Sequence, residues 1–90
     1  MFVAVMLELA TEDSRAAVQD LVLQYGFTRI LGSLYESYTM LQERLNRLKK
    51  DIDRVTDSYD HVRFYQYPVD DTRVITDLRG KKWRRQKIVF

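Results

Sequence analysis

Two periodicities organise the hydrophobic positions of this chain. Residues 2–9, "FVAVMLEL", form a short apolar run bounded by the polar cluster "TEDS", the pattern of a buried strand. The same polar cluster opens a helix, with Thr11 as N-cap and Glu12 and Asp13 placed to complement the helix dipole. Val18, Leu21, Val22 and Tyr25 then recur at helical spacing, and Gly26 is a natural terminator, so helix one is expected over about 12–25. Residues 27–38, "FTRILGSLYESY", are aromatic and β-branched and broken by Gly32-Ser33. They predict either one bent strand or two short strands joined there. Thr39 and Gln42 have the spacing of a capping box. Leu41, Leu45, Leu48 and Ile52 carry the stripe of a second helix to about residue 54, with Glu43, Arg44, Arg47, Lys49 and Lys50 opposite.

Beyond "TDSYD" the period changes to two. In "HVRFYQYP", Val62, Phe64 and Gln66 alternate with Arg63, Tyr65 and Tyr67, a strand with one apolar face and one of Arg and tyrosines, closed by Pro68. "TRVITDL" and the final "KIVF" predict two further short strands. The order is that of an α+β, ferredoxin-like βαββαβ domain: an antiparallel sheet, two helices on one face and a C-terminal β extension. A terminal apolar strand needs a sheet edge to pair with, its own or a partner's.

Ninety residues are enough for one domain and one core, and a core this small favours self-association. With no cysteine there are no disulfides or thiolate metal sites, which favours the cytoplasm. The opening apolar run is too short for a membrane span and lacks the marks of a signal peptide, so no membrane association is expected. A net charge of +2 conceals an asymmetry: "RGKKWRRQK", residues 79–87, holds six of the fifteen Lys and Arg and no acid. Such a segment, about 79–90, suits a polyanion such as nucleic acid, or else is a solvated tail with no specific partner.

Candidate chemistry is sparse. Glu8 is an acid at the tip of a core strand, either a metal ligand or a solvated strand end paired with an Arg. His61 lies in a polar turn, Ser33 has no His partner nearby in sequence, and no P-loop, dinucleotide or zinc motif is present. The tyrosines of "YESY" and "FYQY" either stack on bases or fill a sheet–sheet dimer interface. The interface reading, with Tyr35, Arg63, Tyr65, Tyr67, Ile88 and Val89, is preferred. Arg15, Arg44, Arg47, Lys49, Lys50, Lys81, Lys82, Arg84 and Arg85 are the candidates for sequence-independent phosphate contacts.

Taken together, "FVAVMLEL", "TEDSRAAVQDLVLQYGF", "SLYES", "LQERLNRLKKDI", "HVRFYQYP" and the closing "KIVF" resemble, in order and spacing, the Cas-two family of small CRISPR-associated adaptation proteins. The resemblance implies a ferredoxin-like homodimer that binds double-stranded DNA and bridges subunits of the Cas-one type integrase during spacer acquisition. It also implies a divalent ion, Mg²⁺ or Mn²⁺, near the dimer axis, where members of the family carry an aspartate and this chain carries Glu8. Two copies of Glu8 could hold such an ion against a phosphate. The longer side chain moves the carboxylate by roughly 1–1.5 Å, and errors of about 1 Å can cost about 10²-fold in rate. The resemblance thus favours the adaptor over a metal-dependent endonuclease acting on DNA or RNA, toxin-like ribonucleases of similar fold included. A ferredoxin-like dimer with no nucleic-acid role is the third reading, and the basic segment argues against it.

Overall fold

The computed structural model describes residues 1–67 and 72–89, so Pro68 and the predicted strand end there lie outside the described residues. The elements are β1 (Phe2–Glu8), α1 (Glu12–Gln24), β2 (Thr28–Leu31), β3 (Leu34–Ser37), α2 (Gln42–Val55), β4 (His61–Tyr67), β5 (Thr72–Arg79) and β6 (Lys82–Val89). One six-stranded sheet runs in the order β2-β3-β1-β4-β5-β6, and every described pairing in it is antiparallel. The first four strands of that order have the ferredoxin-like arrangement, and β5 and β6 widen the sheet beyond β4.

Local chemistry accounts for the elements. Thr11 caps α1: its Oγ1 accepts from Ser14 N at 3.1 Å, and Ser14 Oγ accepts from Thr11 N at 3.4 Å. Gly26, at φ +91°, ends the helix in a conformation that side chains rarely adopt. Gly32, at φ +49°, with Ser33 folds residues 28–37 into a hairpin of two strands, which settles the choice between one bent strand and two. Gly80 and Lys81 both have φ +61°, the primed turn that matches strand twist and joins β5 to β6.

Three expectations are corrected. Thr39 does not cap α2, whose N-cap is Leu41 with no side-chain hydrogen bond. Met40 N instead donates to Met1 O at 3.0 Å, holding this stretch extended beside β1, and Gln42 is turned to Asn46 and Gln66. Leu41 is accordingly outside the apolar stripe and exposed, while Leu45, Leu48 and Ile52 are fully buried. Lastly, the basic segment is no tail. It lies in β6, eight residues long where only "KIVF" was expected, and pairs with β5 from Arg79↔Lys82 to Thr72↔Val89.

The core lies between the sheet and both helices. Val3, Val5 and Leu7 of β1, Tyr35 of β3, Val62 and Phe64 of β4 and Leu78 of β5 meet Val18, Val22, Leu45, Leu48 and Ile52. Strand alternation then sends Met6 and Glu8, Arg63, Tyr65 and Tyr67, and Ile75 and Asp77 to the opposite face, which no element among the described residues covers. Tyr35, expected at an interface, is therefore a core residue. Its register partner Val5 faces the helices, so Leu34 and Glu36 are the β3 residues of the open face.

Candidate functional site

Glu8 is the last residue of β1 and is exposed. Its register partner is His61, and Met6, Arg63 and Tyr65 line the same shallow pocket on the open face. The carboxylate makes no hydrogen bond or ion pair among the described residues. The solvated strand-end description therefore fits its surroundings, without the Arg pair that was one expectation. A divalent cation needs several oxygen ligands. Among the described residues no three His, Cys, Asp or Glu side chains come together, and the cation Arg63 shares the pocket of Glu8. The described residues of a single chain thus hold no ligand cluster that fits Mg²⁺ or Mn²⁺, and a second copy of Glu8 would bring a further carboxylate.

His61 is not free in a turn. Its Nε2 lies 2.5 Å from Asp77 Oδ1, on the next strand of the open face. Arg63 stacks over the Tyr65 ring at 5.3 Å, and its buried Nε has no hydrogen-bond partner among the described residues. Phe2 packs its ring against both Tyr38 and Tyr67, at 5.2 and 5.3 Å. With Met6 and Ile88 about two-fifths exposed, the open face is an aromatic and aliphatic surface edged by Glu8, Arg63 and Asp77. Ile88 belongs to this face by register with Arg73, while the side chain of Val89 lies outside the description.

The nine candidate phosphate contacts fall in separate places. Arg15 pairs with Glu12 and reaches Leu9 O at the start of α1. Arg44 lies over the Tyr25 ring at 5.0 Å, and Arg47 is exposed nearby on α2. The Tyr25 hydroxyl donates to Asp51 Oδ2 at 2.7 Å, and its pKa is raised chiefly by that hydrogen bond. Lys82 and Arg84 align with Arg79 and Asp77 on the open face of the sheet, whereas Arg85 aligns with Thr76 on the helix side. Two lysines have other duties. Lys81 reaches over the end of α2, donating to Asp53 O and to Thr56 O at 3.1 Å, with the Asp53 carboxylate 3.4 Å away.

Lys49 departs most from expectation. Read as part of the solvated face of α2, it turns inward, and its Nζ donates to Gln66 Oε1 at 3.0 Å and Thr76 Oγ1 at 3.2 Å above the Phe64 ring. Burial, reinforced by the nearby Arg85, lowers its pKa from 10.5 to about 8. Lys49, Lys50 and Arg54 of α2 face Trp83 and Arg85 of β6 across a groove of about 590 Å³. The signal in the sequence was Gln66 and Thr76, two polar residues on core-facing positions of adjacent strands, which require a buried partner.

These observations define a ferredoxin-like α+β domain with one sheet face that the described residues leave uncovered and with exposed cations distributed around it. The chain belongs to the family described as CRISPR associated protein Cas2, whose profile matches residues 1–86, and a CRISPR-associated role follows. Neither the curated proteins nor the solved structures include a match. No helix among the described residues is long and apolar enough to cross a membrane.

Proposed function

We propose that the protein is a cytoplasmic homodimeric adaptor that binds duplex DNA through its exposed cations and bridges subunits of a Cas-one type integrase during spacer acquisition. The observation that carries this reading is the uncovered sheet face, where Phe2, Met6, Tyr65, Tyr67 and Ile75 are left for a second copy while the cations Arg47, Lys50, Lys82 and Arg84 stay exposed around the domain. Phosphate contacts from scattered Arg and Lys give affinity without base readout, and salt weakens it steeply. A second reading rests on Glu8, which stands at the open face where a two-fold axis would bring its copy close. In that case the pair shares Mg²⁺ or Mn²⁺ and the protein is an endonuclease of DNA or RNA.

The two readings separate on Glu8→Gln. The adaptor is expected to bind unrelated duplexes with similar affinity, to lose about 10-fold or more in affinity between low and physiological salt, and to support spacer acquisition equally well with Glu8→Gln. Robust Mg²⁺-dependent cleavage by the wild-type protein that vanishes in Glu8→Gln would replace it with the nuclease.

A further inference from the structure

The groove between α2 and β6 has the composition of a ligand site rather than of a solvated surface. Its volume of about 590 Å³ lies within the range of small-molecule sites. One wall is aromatic: Trp83 is half-buried, with its ring centroid 6.3 Å from that of Phe64. The floor holds the Lys49 ammonium, which has three N–H donors. Gln66 and Thr76 take two of them, leaving one for the groove. Arg85 is two residues beyond Trp83 on the same face of β6 and pairs in register with Thr76, whose hydroxyl accepts from Lys49, so Arg85 and Lys49 line the same groove. The lining cations exceed the acids: Lys49, Lys50, Arg54, Arg84 and Arg85 against Asp53, which already faces Lys81, while Arg54 is paired with Asp51. Neither Lys49, Lys50 nor Arg85 has an ion-pair partner among the described residues. Holding like charges together over a half-buried floor is unfavourable until an anion arrives.

We propose that this groove binds a single nucleotide unit, its phosphate held by Lys49 and Arg85 and its base laid against Trp83. A phosphate supplies the missing negative charge and accepts from a guanidinium fork and an ammonium at once. A planar base gains stacking on the indole, of the order of 1–3 kcal/mol per base in single-strand readers. The site differs from the duplex contacts proposed above: a base stacked within a helix cannot reach the groove, so the occupant is a free mononucleotide or the unpaired end of a strand. Failure of this site would leave duplex binding by the exposed cations untouched.

Trp83 is the sole tryptophan of the chain, so its fluorescence reports the groove directly. Deoxyadenosine monophosphate added to the wild-type protein is expected to quench that emission saturably. Deoxyadenosine, without the phosphate, should bind at least about tenfold more weakly, and inorganic phosphate should compete without quenching. Arg85→Gln changes an exposed strand position and should leave the far-UV circular dichroism intact while weakening the nucleotide at least about fivefold. Arg29→Gln, on the far edge of the sheet, should change nothing. A 5′-phosphorylated single strand that binds more tightly than the mononucleotide assigns the site to strand ends, and equal affinity assigns it to free nucleotides. Absence of saturable quenching at about 10 mM nucleotide, or quenching unaffected by Arg85→Gln, would overturn the proposal. Stronger quenching by a glutamate-rich peptide than by the nucleotide would overturn it in favour of a protein partner.

Discussion

At the scale of single residues, the polar groups inside this domain are its most specific features. Asp60 is 2% exposed and joins three segments: its Oδ1 accepts from Ala10 N at 2.8 Å and Ser14 Oγ at 3.2 Å, and its Oδ2 from Asp57 N at 2.9 Å. A carboxylate with three donors is well satisfied, and deleting it orphans the Ala10 and Asp57 amides, while Ser14 Oγ keeps Thr11 as a partner. Asp60→Ala should destabilise the fold by about 2–4 kcal/mol in urea denaturation, whereas loss of well under 1 kcal/mol would show that water replaces the carboxylate. Lys49 carries the opposite balance. Its folded pKa of about 8 lies below the ordinary 10.5, so between those values the unfolded chain holds a proton that the native chain has released. Stability from this group therefore rises with pH from about 8 to 10.5, and the full cost of burying the charge is present below about 8. Partial exposure screens that cost to on the order of 1–2 kcal/mol. Lys49→Met should thus be as stable as the wild type or more so near neutral pH, with the advantage shrinking by about pH 10. An advantage constant with pH would mean that the ammonium is not desolvated.

Among the elements, period and punctuation were legible and long-range partnerships were not. The alternation of β4 and the stripe of Leu45, Leu48 and Ile52 translate directly into buried faces, because one buried side imposes its period on the sequence. Thr39 and Gln42 misled because a local capping signal lost to pairing between Met40 and Met1. β6 was hidden for a related reason. A strand with Arg, Gln and Lys on it reads as a solvated tail until the β5 edge that receives it is known, and charged edge strands are a means by which sheets avoid further pairing. Glu8 was correctly placed at a strand tip, but which groups surround it depended on the register with β4, which no single segment encodes. The hairpin that delivers β6 also gives Lys81 its role. The residue adopts φ +61° and sets its ammonium on the last carbonyls of α2, a favourable place for a cation at a helix C-terminus. Lys81→Ala should lower stability by about 1 kcal/mol and change duplex affinity less than Arg84→Ala does. A large affinity loss with an unchanged denaturation midpoint would return Lys81 to the DNA-binding cations.

For the whole molecule, the decisive asymmetry is that both helices cover one side of a six-stranded sheet and nothing among the described residues covers the other. Ninety residues give a modest core, so leaving Phe2, Met6, Tyr65, Tyr67, Ile75 and Ile88 in water is a substantial loss for a domain of this size. The face has the make-up of an interface rather than of a second core: tyrosines, an arginine stacked on one of them, and charges toward its edge. Arg63 adds a specific demand, since its buried Nε donates to nothing among the described residues and an acceptor from a second copy would satisfy it. The face carries its own acceptors for such an exchange in Glu8 and Glu36, and a two-fold arrangement makes each such contact twice. The protein is therefore expected to be a dimer by light scattering at micromolar concentration. Ile75→Asp puts an unpaired charge at the middle of the face and should yield a folded monomer with native circular dichroism. Arg63→Ala should weaken the dimer more than Arg84→Ala, because it removes both the tyrosine stack and the buried donor. A wild-type protein that remains monomeric at those concentrations, or an Ile75→Asp protein that remains dimeric, would place the contact elsewhere. With the sheet face then left open, Glu8 would have no route to a second carboxylate, and the nuclease reading would fall together with the dimer.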